Sequence, residues 1–397
     1  MNAYDGIPTR WNRKILEPLA PLDRIPFTMT TEKLDFITIR GFRSIADVST
    51  LELRQLNVLI GANGSGKSNF LAAFSMLREI LEGRLKDWVM QKGGANRVLH
   101  FGSKTTPGMT FHLSFSDSIN AYEITLGVNS EDQLYPTQEA VYYWDREKHP
   151  RPFRDALASR AGGFEAGISD RALGLIGNYV RQHLSSWVTY HFHDTSPLAP
   201  LRKNAPIHDN AALRTDGSNL PAFLYLLQQQ QPASYTAIRQ AIQRVAPFFD
   251  DFVLEPAKLA PDTIRLQWRH KGTNDFFDVA SLSDGTLRFI ALATLLLQPQ
   301  SLLPRIILID EPELGLHPSA IVLLGSLVRI ASRYAQVILS TQSSQLLDQF
   351  NPEDVLVAER AGQATTIRRL DGSRLGKWLE DYSLGQLWEK NELGGRP

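Results

Sequence analysis

One stretch of the chain fits the pattern G-x-x-x-x-G-K-[ST], and it reads Gly61-Ala62-Asn63-Gly64-Ser65-Gly66-Lys67-Ser68. Glycines let the backbone turn so that successive N–H groups point inward, and a helix that starts directly afterwards adds the positive end of its dipole. Residues 57–60 are typical of a buried strand, and apolar residues at helical spacing follow from Phe70 onward. The chain therefore has a strand, a glycine-rich loop and a helix in the order that binds a phosphate group.

The last two residues of this loop have predicted chemical roles. In loops of this pattern the lysine reaches the β- and γ-phosphates of a nucleotide, and the final hydroxyl binds Mg²⁺. We therefore predict that Lys67 acts on the phosphates and that Ser68 is a metal ligand. The alternative, a plain glycine turn, does not explain why a strand and a helix flank the loop.

A second stretch ends in two acids, and it reads Ile306-Ile307-Leu308-Ile309-Asp310-Glu311. Four apolar residues in a row predict a buried parallel strand, whose carboxyl end opens on the ligand site of an α/β sheet. We predict that Asp310 holds Mg²⁺ through water and that Glu311 is the general base for the attacking water. An acidic pair by itself is usually an exposed turn, and the presence of the phosphate loop favours the catalytic interpretation.

A third stretch opens an apolar helix, and it reads Ser281-Leu282-Ser283-Asp284-Gly285-Thr286. A hydroxyl and free N–H groups at a helix N-terminus form a second place where an anion can bind. Helix capping by Ser283 or Asp284 is the simpler explanation of the same residues. The sequence of this stretch alone favours capping.

Taken together, the three stretches resemble the nucleotide-binding heads of ABC-type ATPases, in the form found in the SMC/RecF/OLD branch. The resemblance extends to Ile-Arg-Gly-Phe-Arg-Ser at residues 39–44 and Asp-Glu-Pro-Glu-Leu-Gly-Leu-His-Pro at residues 310–318. It covers about half of the chain. It implies an α/β P-loop NTPase with a RecA-like parallel core, an antiparallel β subdomain and a mostly helical insert lobe, with ATP and Mg²⁺ as cofactors.

The resemblance also implies how two such heads associate. Two copies pair head-to-tail around ATP, so that Ser283, Asp284 and Gly285 of one copy contact the γ-phosphate held by the loop of the other. It places Asn69, which follows the loop, and Arg43 beside the nucleotide as well. For Arg43 an ordinary surface arginine is the alternative.

Two positions depart from the common form of these heads. Gln342 stands where most of them have histidine, and a glutamine can hydrogen-bond the γ-phosphate or the attacking water. Because it cannot supply a charge-assisted bond, we expect slow turnover, below about 1 s⁻¹; packing at a strand end is the alternative role. The glutamine of the Q-loop has two candidate replacements, namely Gln91 and the segment that begins at His193.

The pattern along the chain predicts four parts. They are an N-terminal tail at residues 1–32, a first part of the ATPase core at 33–139, the insert lobe at 140–275 and a second part of the core with a C-terminal extension at 276–397. Met29, just before the first strand pattern, is a second candidate start.

Composition excludes several other classes. The 397 residues include no cysteine, which excludes disulfides, zinc knuckles, iron–sulfur sites and thiol nucleophiles. Lys plus Arg and Asp plus Glu both number 42, so no global basic field indicates a nucleic-acid partner, and we interpret the pairs Arg202-Lys203 and Arg368-Arg369 as solvated charge. No apolar run is long enough to span a membrane, and we expect a cytoplasmic protein.

The lengths of the segments between and after the motifs exclude several relatives. They leave no room for SMC coiled coils or a TOPRIM nuclease domain. No N-K-x-D guanine-binding motif occurs.

Two functional hypotheses follow. The first is an ATPase whose nucleotide-driven homodimer works a partner, either a separate effector protein or DNA, in DNA maintenance or phage defence. The second is a binding switch, in which ATP holds the dimer together and hydrolysis is incidental.

Overall fold

A computed structural model describes residues 33–257, 259–273 and 275–395. The predicted tail at residues 1–32, with Met29, lies outside this range. The strands are β1 (Leu34–Phe42), β2 (Ile45–Glu52), β3 (Leu56–Ile60), β4 (Gly108–Phe115), β5 (Asn120–Val128), β6 (Leu134–Tyr143), β7 (Phe153–Ala156), β8 (Trp187–Tyr190), β9 (Ala205–Pro206), β10 (Phe249–Val253), β11 (Pro256–Ala257), β12 (Ala260–Ile264), β13 (Gln267–His270), β14 (Phe276–Asp278), β15 (Ile306–Asp310), β16 (Gln336–Thr341), β17 (Val355–Ala361) and β18 (Ala364–Arg369). The α-helices are α1 (Lys67–Leu81), α2 (Leu85–Gln91), α3 (Ala95–Val98), α4 (Leu175–Ser185), α5 (Leu220–Gln230), α6 (Pro232–Val245), α7 (Asp284–Leu297), α8 (Pro318–Ala331), α9 (Ser344–Leu347), α10 (Trp378–Asp381) and α11 (Leu384–Glu389).

The core is a six-stranded sheet in the order β18-β17-β3-β16-β15-β8. All neighbouring pairs are parallel except β17 and β18, which form an antiparallel hairpin. Successive residues of the central strands are buried on opposite faces: Val58 and Ile60 join the core on the side of α7 and α8, and Leu59 joins the core on the side of α1. Burial on both faces explains why these strands read as continuous apolar runs.

A second six-stranded sheet has the order β2-β1-β4-β5-β6-β7, and all of its neighbouring strand pairs are antiparallel. Its inner face packs on the same core as α1, through residues such as Ile37, Phe111 and Ile124. Helix α1 thus lies between the two sheets and is buried along one side. The parallel core and the antiparallel subdomain expected from the sequence are both present.

The range 140–275, predicted as the insert lobe, contributes to more than one part of the molecule. Helices α5 and α6 form a lobe with the small sheets β10-β13-β14 and β11-β12-β9, and α6 packs on α7 and α8. However, α4 packs on α1, and β8 is an edge strand of the core sheet. The core therefore extends beyond the predicted boundary at residue 139, because a strand of only four residues carries too little pattern to reveal its partners.

No helix within the described ranges is long and apolar enough to cross a membrane.

Candidate functional site

The predicted phosphate loop connects β3 to α1, as its pattern requires. Gly61 and Gly66 are needed for close approach of the chain. A Cβ atom on Gly66 would lie 2.1 Å from Thr365 Oγ1, and one on Gly61 would lie 2.4 Å from the carbonyl oxygen of Ala358. Strands β17 and β18 thus pack against the loop and leave no space for side chains at these two glycines.

Lys67 lies at the first turn of α1 with its side chain buried. Its Nζ atom donates to the carbonyl oxygens of Gly61, at 2.7 Å, and Ala62, at 3.0 Å. Burial lowers the pKa of Lys67, and the negative charges of Glu311 and Asp310 oppose this shift. The ammonium group is therefore held inside the loop and within electrostatic reach of both predicted catalytic acids.

A chain of hydrogen bonds fixes the loop from the side of β18. The hydroxyl of Thr365 lies 2.8 Å from both the Ser65 carbonyl oxygen and Ser44 Oγ. Asn69 donates to Ser44 Oγ at 2.8 Å and accepts from Arg43 at 3.3 Å. Thr365 and Ser44 were not among the predicted site residues; Ser44 closes the quoted segment 39–44, whereas no motif marks Thr365.

Arg43 is not an ordinary surface arginine. Its guanidinium carbon lies 5.3 Å from the ring centroid of Phe42 and 5.8 Å from that of Trp88. Burial lowers its pKa. The structure places Arg43 against Asn69 at the start of α1, and a contact between Arg43 and nucleotide phosphate stays a prediction.

The two predicted acids lie at the carboxyl edge of the parallel sheet. Asp310 pairs in register with Ser340 of β16, whose hydroxyl donates to Asp310 Oδ1. Ser340 in turn pairs with Leu59 of β3, two residues before the phosphate loop. The sheet therefore brings Asp310 close to the loop, although about 250 residues separate them in sequence.

Glu311 and Gln342 follow these strands and contact each other. The side-chain amide of Gln342 donates to Glu311 Oε1, and the backbone N–H of Glu311 donates to the Ser340 carbonyl oxygen at 3.0 Å. Glu311 has a positive φ of 41°, an uncommon backbone conformation for a residue other than glycine. The structure thus brings together the predicted base and the predicted switch residue.

Glu313 is a buried acid at this edge that was not among the predicted site residues. One carboxylate oxygen accepts hydrogen bonds from Thr341 Oγ1, at 2.6 Å, and from the backbone N–H of Gln342, at 2.9 Å. The other oxygen, Oε2, is buried without a hydrogen-bond partner, and burial raises the pKa of Glu313. Glu313 belongs to the quoted segment 310–318. The sequence does not show, however, that a loop acid two residues after the predicted general base is buried.

His191 is a third residue of this edge that sequence reasoning did not select. Tyr190 pairs with Ile309, so His191 follows alongside Asp310. Since Tyr190 and Ile309 both point to the α7 side, His191 and Asp310 both point to the α1 side. Burial and His193 lower the pKa of His191, and Asp310 opposes them. Of the two candidate Q-loop segments, the one after β8 lies beside the acids, whereas Gln91 is exposed at the end of α2.

The donors at this edge suit Mg²⁺. Mg²⁺ takes oxygen ligands, usually one or two carboxylates together with substrate phosphates and waters. Ser68 and Asp310 supply a hydroxyl and a carboxylate of that kind. Among the described residues there is no group of three or more His, Cys, Asp or Glu side chains that could hold a metal ion.

The third stretch caps helix α7, as its sequence favours. Ser283 Oγ accepts from the backbone N–H of Thr286 at 3.2 Å. Asp284 forms an ion pair of 2.7 Å with Arg202, and a Cβ atom on Gly285 would lie 2.3 Å from the carbonyl oxygen of Gly315. The contacts of these three residues thus join them to Thr286, Arg202 and Gly315, and the structure does not bring them together with the phosphate loop of the same chain.

The interpretation of the two basic pairs as solvated charge was wrong for one residue in each. Arg202 is only 11% exposed and binds Asp284. Arg369 is partly buried, donates to the carbonyl oxygens of Glu52 and Glu353, and has its pKa lowered to about 10 by burial. Both arginines bind main-chain carbonyls that are distant in sequence, so nothing near them in the chain distinguishes them from surface arginines.

Arg288 connects helix α7 to the acidic edge. Its side chain is buried and donates to the carbonyl oxygens of Phe192, at 2.9 Å, and His193, at 2.7 Å. It also donates to the carbonyl oxygen of Leu314. The helix that Ser283 begins is therefore tied both to the segment after β8 and to the loop after Glu313.

The fold and the site define an α/β P-loop NTPase whose fold is similar to that of SMC head domains. Residues 56–348, well over half of the chain, match the AAA_21 family, described as "AAA domain, putative AbiEii toxin, Type IV TA system", and the chain belongs to this family. None of the curated proteins matches the sequence.

Two solved structures are similar in fold. The first is the Smc head bound to the C-winged helix domain of ScpA, with a TM-score of 0.57 and 14% identity, covering 87% of this chain and 99% of that one. The second is an Smc head domain from Pyrococcus furiosus, bound to the C-terminal domain of ScpA, with a TM-score of 0.54 and 13% identity, covering 88% of this chain and 99% of that one. At such low identity the likeness concerns the fold alone.

Proposed function

We propose that this protein is an ATPase whose two heads pair around ATP and whose slow hydrolysis controls a separate effector. The observation that carries the proposal is the register of β15, β16 and β3, which brings Asp310, with Glu311 directly after it, to the sheet edge where the loop that holds Lys67 begins. A lysine beside a phosphate loop and two acids at the facing strand end are the groups that positioning and charge stabilisation of a γ-phosphoryl group require.

Each residue has a role in this scheme. The backbone N–H groups of residues 61–66 and Lys67 hold the β- and γ-phosphates. Ser68 and Asp310 would hold Mg²⁺, which neutralises phosphate charge when it is bound. Glu311 accepts a proton from the attacking water, and Gln342 keeps the Glu311 carboxylate in place through its hydrogen bond. His191, which follows β8 alongside Asp310, is assigned a contact with the same water or phosphate.

The proposed dimer follows from the position of helix α7. The contacts of Ser283, Asp284 and Gly285 are with Thr286, Arg202 and Gly315 and not with the phosphate loop of the same chain, and a helix N-terminus favours anions. A second copy that turns its loop toward this N-terminus completes both nucleotide sites at once. Each ATP is then enclosed between two chains.

The effector is proposed by analogy. The family description names a toxin of a toxin–antitoxin system, and the similar Smc heads are bound to a domain of another protein, ScpA. Both support a head that acts through a second component, in phage defence or DNA maintenance. A partner protein or DNA that changes the turnover rate would identify that component.

Light scattering with two variants tests the dimer. Glu311→Gln removes the base and keeps the shape, so this variant should bind ATP, fail to hydrolyse it and double its mass when ATP and Mg²⁺ are added. Lys67→Ala should lose both turnover and most nucleotide affinity, and should stay at its nucleotide-free mass. An unchanged mass of the Glu311→Gln variant with saturating ATP contradicts head pairing, and equal loss of ATP binding in both variants contradicts the assigned roles.

The binding switch remains the second hypothesis, and turnover distinguishes it. If the protein is an ATPase that controls an effector, the partner should change the rate of ATP hydrolysis, and blocking hydrolysis should change the response of the partner. If the partner responds to Glu311→Gln with ATP in the same way as to the parent protein, the switch explains the data better.

A further inference from the structure

Arg202 is a nearly buried cation that contacts the start of helix α7 and the segment before it. Its side chain is 11% exposed. It donates to the carbonyl oxygens of Thr195, at 2.9 Å, and Val279, at 2.9 Å. One terminal nitrogen also lies 3.4 Å from the carbonyl oxygen of Leu282 and 2.7 Å from Asp284 Oδ1. Arg202 therefore binds the backbone at both ends of the segment 279–282, and it also binds the carboxylate of Asp284.

Asp284 is an unusual residue for an anion site. Its side chain is 67% exposed and lies in the first turn of α7, beside the N–H groups that would receive a phosphate. A carboxylate there interacts well with the helix dipole, but it competes with any bound anion and repels it. A phosphate can occupy this N-terminus only if the charge of Asp284 is compensated.

Arg202 is placed to provide that compensation. A guanidinium group has five N–H donors, and the contacts above occupy most of them, so the group cannot swing out to become a free ligand. Its charge stays at Asp284. Because Thr195 belongs to the segment that follows β8 beside the acidic edge, the same side chain also joins the start of α7 to that segment.

We infer that Arg202 is a positioning residue that neutralises Asp284 and fixes residues 279–284, so that the N-terminus of α7 can receive the γ-phosphate of ATP held by a second copy. The inference rests on the proposed head-to-tail dimer. It assigns to Arg202 a role in dimer formation and none in ATP binding by the single chain.

A double-mutant cycle in the Glu311→Gln background tests the inference by the ATP-dependent dimer dissociation constant. We expect Arg202→Gln to weaken the dimer about tenfold, and we expect the added Asp284→Asn change to restore most of that loss, because the repelling charge is then gone. ATP affinity of the monomer should stay within about twofold. In Arg202→Gln alone, raising the salt from about 50 to about 500 mM should strengthen the dimer, since salt screens the uncompensated charge.

Two further variants keep the test decisive. Arg202→Lys retains the charge with fewer donors, so its dimer should be weakened less than that of Arg202→Gln, and it replaces Arg202→Gln if that variant does not fold. Arg374→Gln removes an exposed ion pair with Asp371 elsewhere on the surface and should leave the dimer unchanged. Equal weakening in Arg202→Gln with and without Asp284→Asn, or no weakening at all, overturns the inference. A Glu311→Gln parent that does not dimerise with ATP overturns the proposed dimer, and the inference with it.

Discussion

Gln342 and Glu311 lie at the ends of neighbouring parallel strands, and the amide of Gln342 donates directly to the carboxylate of Glu311. The sequence predicted that Gln342 acts on the γ-phosphate or the attacking water. The observed hydrogen bond gives Gln342 an additional role. It holds the carboxylate of the general base in one orientation, so that less conformational freedom has to be lost at each turnover. The two residues form one unit, and a change in either affects the other.

Gln342→Ala should therefore lower the rate of ATP hydrolysis about five- to tenfold, the cost of roughly one neutral hydrogen bond at the transition state. ATP affinity should be unchanged, and single-turnover kinetics with direct binding measures both. Gln345→Ala is the matched control, because the Gln345 amide donates to the Pro318 carbonyl oxygen instead. A parent-like rate in Gln342→Ala would mean that the residue only packs at the strand end.

Thr365→Val should weaken nucleotide binding although Thr365 is not part of the loop. The change leaves the Ser65 carbonyl oxygen without the Thr365 hydroxyl and removes one of the two partners of Ser44 Oγ, which keeps its bond from Asn69, at a cost of about 1–3 kcal/mol of stability. We expect a several-fold higher KM for ATP and a lower melting temperature. Thr366→Val, at the neighbouring exposed position, should change neither quantity. If both variants behave alike, the threonine does not fix the loop.

Gly66→Ala should destabilise the nucleotide-free protein more than Gly64→Ala. Both glycines have positive φ, 107° and 77°, so alanine is strained at either one. Only at Gly66 would the new Cβ also collide with Thr365, since nothing lies within 4 Å of a Cβ on Gly64. Thermal unfolding without nucleotide measures the difference. Adding Thr365→Ala should recover part of the loss for Gly66→Ala and none for Gly64→Ala.

Glu313→Gln should become more stable relative to the parent as the pH rises. Burial raises the pKa of Glu313, so the folded parent keeps its proton to a higher pH than the unfolded chain does. Ionising it above that pKa costs the parent stability, and glutamine has no such cost. Melting temperatures between about pH 4.5 and pH 8 should show the gap between variant and parent widen by about 2 °C. The exposed Glu380, changed to glutamine, is the control and should show no widening.

The parts of the fold that sequence predicted are those with a strong local pattern. The apolar strand before Asp310, the strand before the glycine-rich loop and the helix after that loop were each predicted within a few residues of their observed bounds. Strand β8 falls in the range predicted as the insert lobe although it belongs to the core sheet, because four residues do not say which sheet they join.

The same distinction applies to the site. Lys67, Asp310 and Glu311 belong to motifs that begin at strand ends, and the topology brings these strand ends to one edge of the sheet. Thr365 and Ser65 are 300 residues apart in sequence, and Arg202 and Asp284 are 82 apart. A hydroxyl or a guanidinium group that binds a distant main-chain carbonyl leaves no periodic trace in the sequence, so only the structure reveals it.

The strand order of the core also governs how the protein is made. Strand β3 leaves the ribosome early, yet both of its neighbours, β16 and β17, come from the last third of the chain. The side-chain amide of Asn57 in β3 donates to the carbonyl oxygen of Val337 in β16, and these two residues are 280 apart in sequence. At about 5–20 residues per second, translation of that interval takes on the order of 15–60 s. During most of synthesis, the strands on either side of β3 have therefore not yet been made. Nucleotide binding by the phosphate loop is consequently one of the last properties that a newly made molecule gains.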